Sequence, residues 1–179
     1  MSYRIHKEAD EGIVLVKKQV LHSDVLIVVF THHFGKIALL AKGIQKITSK
    51  RISALQTGNI VKVIFSEKNN SLKYLSSVEL ISHLSAIKKD LVKMQHLYIL
   101  LFMFDRLLPD SQKDPSTYGV CKRLLIQLAR EKTNSIFLTK AMSEVLVQLG
   151  YGACNSYDEC ATITEEIIGK KMLVFSRAS

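Results

Sequence analysis

The hydrophobic repeat of this chain changes period near Leu80, so its two halves must fold by different rules. Before that point the apolar residues fall in short Val-, Ile- and Leu-rich runs: residues 12–20 (GIVLVKKQV), 25–31 (VLIVVFT), 36–42 (KIALLAK), 59–66 (NIVKVIFS) and 72–80 (LKYLSSVEL). Each is too short for a comfortable helix and reads as a strand. HHFGK provides a hairpin connection between the second and third runs, with Gly35 able to take a positive φ, and EKNNS does the same between the fourth and fifth. The longer connection, residues 43–58, spaces Ile44, Ile47, Ile52 and Leu55 for a turn or two of helix. Five short strands with one long connection after the third suit a small closed barrel of the OB kind, although an open sheet fits the same pattern.

After Leu80 the spacing becomes helical. Leu84, Ile87, Leu91, Met94, Tyr98, Leu101, Phe104 and Leu108 recur every three or four residues, predicting one amphipathic helix that stops at Pro109. Asp114 and Pro115 open a second helix, striped by Tyr118, Cys121, Leu124 and Leu128. A third follows Asn134, with Leu138, Met142, Val145 and Leu149 on one face and Gly150 as its stop. The remainder, polar to Glu166 and then apolar, is predicted as a tail that packs a short segment back on a three-helix bundle. The expected fold class is therefore α+β: an all-β OB barrel over residues 1–80, then an all-α domain over residues 81–179.

A chain of 179 residues, 47% of them hydrophobic, can bury a core without staples. Cys121, Cys154 and Cys160 are too few for a secreted disulfide framework, which predicts reduced thiols and a cytosolic setting. Residues 1–12 lack the basic head and apolar run of a signal peptide. The longest apolar run, LYILLFMF, is well short of the ~20 residues that span a bilayer, so no membrane role is expected.

The formal charge of +9 is unevenly placed. No Asp or Glu lies between Asp24 and Glu67, a window holding Lys36, Lys42, Lys46, Lys50, Arg51 and Lys62. A surface of one sign attracts polyanions, which makes nucleic acid the first partner to consider, although basic runs are commonly no more than solvated faces. Aromatic rings on the barrel can stack bases: Phe30 and Phe65 are assigned to the core, Phe34 and Tyr74 to stacking. Enzyme chemistry finds no support, because neither a GxxxxGK[ST] loop nor a GxGxxG is present. His32 and His33 share a turn, but no carboxylate is near in sequence, and they read as a solvated turn. Cys121 lies on an apolar stripe, where a thiol is usually inert. No catalytic residue, cofactor or metal is expected.

EGIVL (residues 11–15), FGKIALLAKGIQKITSKRISALQ (34–56), DRLLPD (105–110) and LGY (149–151) together resemble, in order and spacing, the bacterial recombination mediator RecO family. The resemblance covers roughly residues 10–160. It implies an OB barrel followed by a helical domain and binding to single- and double-stranded DNA without sequence specificity. It also implies annealing of complementary strands and, with RecR, help in loading RecA onto DNA coated by single-stranded DNA-binding protein (SSB). Lys42, Lys46, Lys50 and Arg51 would be DNA contacts, with Lys36, Lys62, Phe34 and Tyr74 as further candidates. Lys122, Arg123, Arg130 and Lys140 are candidates for receiving the acidic SSB tail. The setting would be the bacterial cytoplasm, at the nucleoid.

Departures from the family accompany the matches. Gln45, Ile47 and Thr48 stand where relatives often carry more basic residues, which thins the grip on phosphate. Ile163 follows Cys160 where a second zinc-site cysteine would fall, so the four-cysteine zinc site of many relatives is not expected. Two alternative functions remain open: a protein-interaction adaptor with weakened DNA binding, and an OB-type RNA-binding protein.

Overall fold

The computed structural model describes residues 6–20, 24–42, 49–68 and 72–172, without the side chains of residues 49–51 and 68. Five strands, β1 (Lys7–Gln19), β2 (Val25–Thr31), β3 (Gly35–Ala41), β4 (Ile60–Lys68) and β5 (Leu72–Ser82), close a barrel in the order β1-β2-β3-β5-β4. All pairs are antiparallel except β3 with β5, which meet in parallel at Leu39–Lys73 and Leu40–Tyr74. A short helix, α1 (Ser49–Ala54), lies in the β3–β4 connection. This is the OB arrangement. The open-sheet alternative is excluded because β3 and β5, which would be its two edges, pair with each other, while β1 pairs residues 7–13 with β4 and residues 12–19 with β2 through a register shift between Val14 and Val16. Such an irregularity bends a strand sharply enough to serve two neighbours.

Alternation along each strand fills the barrel. Val25, Ile27 and Val29 of β2, Ile37, Leu39 and Ala41 of β3, and Val61, Val63 and Phe65 of β4 point inward around Val14, with Leu55 from the turn after α1. Phe30 and Phe65 are both 1% exposed, as their core assignment required. β1 begins five residues before the predicted run. Lys7, Glu8, Asp10 and Glu11 hide it from a hydrophobic pattern, yet their backbone pairs fully with β4.

The chain divides into two compact units: residues 1–83 with 109–115, and residues 84–108 with 116–179. Residues 109–115, which connect two helices of the second unit, therefore belong to the barrel unit. They form a strap across the start of β3. The Ser111 amide donates to the Lys36 carbonyl at 2.8 Å, and the Lys36 ammonium sits 3.2 Å from Asp110. Gly35 at the hairpin exit has φ 69°, and its α-carbon faces the Gln112 backbone.

The helical unit contains α2 (Ser85–Lys88), α3 (Leu91–Leu107), α4 (Pro115–Arg130), α5 (Ser135–Gln148) and α6 (Tyr157–Ile168). The single long helix expected from Leu84 is two helices. Asp90 interrupts it, its side chain accepting from the Lys93 amide to start α3 afresh. The tail left without a helix contains α6, which packs on α5 and α3. Ser156 caps α6 by accepting from the Glu159 amide, and Gly169, at φ 65°, ends it. Cys121 is fully buried in α4. Cys154 and Cys160, expected as thiols, are joined in a disulfide: the turn into α6 brings their α-carbons to 5.4 Å, inside bridging range.

Candidate nucleic-acid interface

On β3 the inward residues are Gly35, Ile37, Leu39 and Ala41, so Lys36, Ala38 and Leu40 face outward, and the exposed Lys42 follows at the strand's end. Opposite them on β2, Val28 pairs with Ala38 and Leu26 with Leu40, giving a modest apolar platform. In OB barrels the outer face of the second and third strands is the usual oligonucleotide surface. Lys36 and Lys42 are six residues apart on a strand, about 20 Å. That exceeds the screening length of about 8 Å at physiological salt, so the two charges do not act as one patch.

Their surroundings differ accordingly. The Lys36 side chain is 11% exposed and ion-paired with Asp110 of the strap. Lys42 is exposed, with its ammonium 4.9 Å above the Tyr74 ring, a cation–π contact that joins the end of β3 to β5. Beside Tyr74, Lys73 pairs with Glu67 at 3.3 Å. α1 packs against β5 and is fixed at its C-terminal end by the fully buried Asn59, whose amide donates to the carbonyls of Ser53 and Ala54 at 2.9 and 2.8 Å. Lys50 and Arg51 belong to α1; their side chains, like Lys46 as a whole, lie outside the described residues. The β3–β5 seam thus holds Lys42 and Tyr74, while α1, which carries Lys50 and Arg51, packs elsewhere along β5, its C-terminal end tied through Asn59 to the start of β4.

Two other sequence candidates sit elsewhere. Lys62 is exposed on β4 and is flanked in register by Glu11 of β1 and Glu79 of β5, so opposite charge stands on both sides of it. Phe34 packs edge-to-face on Phe65, ring centres 5.2 Å apart, and is partly buried against the barrel core. Sequence reasoning missed the neighbour of the histidine turn: Asp10 of β1 comes to 2.9 Å from the His33 ring, supplying the carboxylate that the local sequence lacks.

On the helical unit, Lys122, Arg123 and Arg130 line a shallow groove of about 360 Å³ on α4 with Ile126, Gln127 and Glu131. Arg123 also bonds Glu144 of α5, which pushes the guanidinium pKa further up. Lys140 lines a larger groove, about 760 Å³, with Ile136, Val147 and Tyr157 on α5 and α6. The four cations are thus divided between two grooves.

A closed five-strand OB barrel, joined to a helical unit and carrying a cation–aromatic seam, defines a protein of the OB-barrel class. Residues 4–84 match the family model described as the N-terminal part of recombination protein O. Three relatives called DNA repair protein RecO extend the similarity into the helices. That of Caldanaerobacter subterraneus is 28% identical over 163 residues, covering 90% of this chain and 62% of the relative. That of Lactococcus lactis is 26% identical over 148 residues, covering 80% and 58%. That of Prosthecochloris aestuarii is 22% identical over 159 residues, covering 88% and 60%. The barrel unit is thus similar to the N-terminal part of recombination protein O, and the similarity to RecO proteins continues into the helices. The chain spans about 60% of the length of these relatives.

Proposed function

We propose that this protein is a recombination mediator in DNA repair. In this reading it binds single- and double-stranded DNA without sequence preference, anneals complementary strands, and with RecR helps load RecA onto SSB-coated DNA. It does so without covalent catalysis, in the bacterial cytoplasm. The observation that carries the reading is the Lys42–Tyr74 seam on an OB barrel. An ammonium there meets phosphate, the ring beneath it stacks a base, and neither contact reads sequence. Annealing then follows from electrostatics: two strands repel through their phosphates, and a basic seam that screens both lowers the barrier while leaving base edges free to pair. The α4 groove, with two arginines and a lysine around Ile126, has the chemistry to receive the acidic, apolar-ended SSB tail.

A salt titration of single-strand binding tests this. Four phosphate contacts from Lys42, Lys46, Lys50 and Arg51 give a log–log slope of about −3, and replacing all four by Ala removes most of it. No binding at low salt would sink the proposal and leave the adaptor reading, which the pairing of Lys36 with Asp110 and the carboxylates flanking Lys62 favour by reducing the basic surface. Tighter binding of RNA than of DNA of equal length would favour the RNA-binding alternative.

A further inference from the structure

The β2–β3 hairpin turn places His32 and His33 side by side, and β1 delivers a carboxylate behind them. The Asp10 side chain is only 3% exposed. Its Oδ2 accepts from the His33 amide at 2.6 Å, and its Oδ1 accepts from the Glu11 amide at 2.9 Å and lies 2.9 Å from His33 Nδ1. A carboxylate in that position holds the proton of a neutral imidazole on Nδ1 and leaves the lone pair on Nε2. His33 Nε2 in turn lies 3.1 Å from His32 Nδ1, with the two rings at 81°.

A separation of 3.1 Å suits two nitrogens sharing a proton, and equally two nitrogens sharing an ion. With bonds of 2.0–2.1 Å, two imidazole nitrogens on a tetrahedral ion stand about 3.3 Å apart, a few tenths of an ångström from the observed spacing. The carboxylate–histidine–metal chain is the usual support of such a ligand, and the His33 side chain, 56% exposed, leaves the remaining positions open to water. The geometry points to a binding site for a borderline divalent transition ion such as Zn2+, held by His33 Nε2 and His32 Nδ1 with Asp10 fixing His33 from behind. Imidazole ligands select Zn2+, Ni2+ or Cu2+ over the oxygen-seeking Mg2+ and Ca2+. The ion would brace the hairpin turn, which the Asp10–His33 contacts already join to β1. Its ligands are independent of the DNA-binding seam and of the cysteines.

The test is titration of the untagged full chain with Co2+ and Zn2+, followed by visible absorption and by thermal unfolding. The expected result is one ion per chain, cobalt bands without the intense near-ultraviolet absorption of a thiolate ligand, and a Tm raised by Zn2+. His32→Ala and His33→Ala abolish uptake. Asp10→Asn weakens it about 10–100-fold, the usual effect of losing such a support. His6→Ala removes a different exposed imidazole–carboxylate pair, that with Glu8, and leaves uptake unchanged, as does Cys154→Ser with Cys160→Ser. Unaltered uptake in both His32→Ala and His33→Ala, a thiolate band, or no saturation up to millimolar metal would overturn the assignment. Because His32 and His33 lie at the surface turn, their replacement leaves the barrel core intact.

Discussion

Replacing Gly35 by alanine perturbs the strap and the hairpin at once. A β-carbon there would collide with the Gln112 carbonyl oxygen and lie 2.6 Å from its carbonyl carbon and 2.9 Å from its nitrogen, all backbone atoms that cannot rotate away. The backbone at φ 69° adds about 1–2 kcal/mol for any residue with a β-carbon. Displacing the strap loses the Ser111-to-Lys36 hydrogen bond, about 0.5–1.5 kcal/mol, and the Lys36–Asp110 pair, at most about 1 kcal/mol because Asp110 is exposed. The combined cost is about 2–4 kcal/mol, which lowers a urea midpoint by about 1–2 M for a slope near 2 kcal/mol per M. Urea unfolding gives the midpoint, and hydrogen exchange of peptides covering residues 109–115 reports the strap directly. An unchanged midpoint with Ser111 still protected would refute the reasoning. Gly35→Asn separates the two causes: Asn tolerates a positive φ but carries the same β-carbon, so a near-normal Asn variant would show that the strap contact is not what requires glycine.

Gly119 makes the opposite case. It sits within α4, exposed, with open space where a β-carbon would be, so Gly119→Ala should stabilise the helical unit by about 0.5–1 kcal/mol in thermal unfolding. Asn59→Ala strips two donors from the carbonyls ending α1 and should cost about 1–3 kcal/mol; fraying of α1 should also weaken DNA binding in anisotropy assays, with Lys50 and Arg51 untouched. His96 is buried in α3, and desolvation holds its pKa below the ordinary 6.5 although Asp90 opposes this. Between those two values the unfolded chain binds the proton and the fold does not. Stability should therefore be full above pH 6.5 and fall as the pH drops toward the lower folded value, and His96→Phe should flatten that part of the stability–pH curve.

The barrel was legible because short runs rich in Val, Ile and Leu are separated by turn residues. The start of β1 was not, since Lys7, Glu8, Asp10 and Glu11 are charged and only pairing with β4 makes the segment a strand. The break at Asp90 was hidden because Ile87 and Leu91 keep helical spacing across a cap. The α6 signals, Ser156 with Glu159 three residues on and Gly169 beyond, were present in the sequence and were overlooked because the segment between is polar. At the candidate interface, charge along the chain did not foretell charge in space: Lys36 and Lys42 are near in sequence but end on opposite ends of β3, one paired with Asp110 and one resting on Tyr74. The Asp10–His33 contact spans 23 residues and no local spacing encodes it, whereas the disulfide joins cysteines only six residues apart and depends on the turn into α6.

The strap makes the barrel unit discontinuous in time as well as in sequence. Synthesis delivers all five strands by His83, yet the segment that covers Gly35 and Lys36 emerges only with residues 109–115. At about 5–20 residues per second, the closed barrel waits roughly 2–6 s, while α2 and α3 are made, before that end of β3 is covered. A fragment ending at His83 never leaves this waiting state. Its Lys36 would lack Asp110 and present a cation that the whole chain keeps neutralised, so an isolated barrel should bind DNA more strongly than the same barrel in the whole chain.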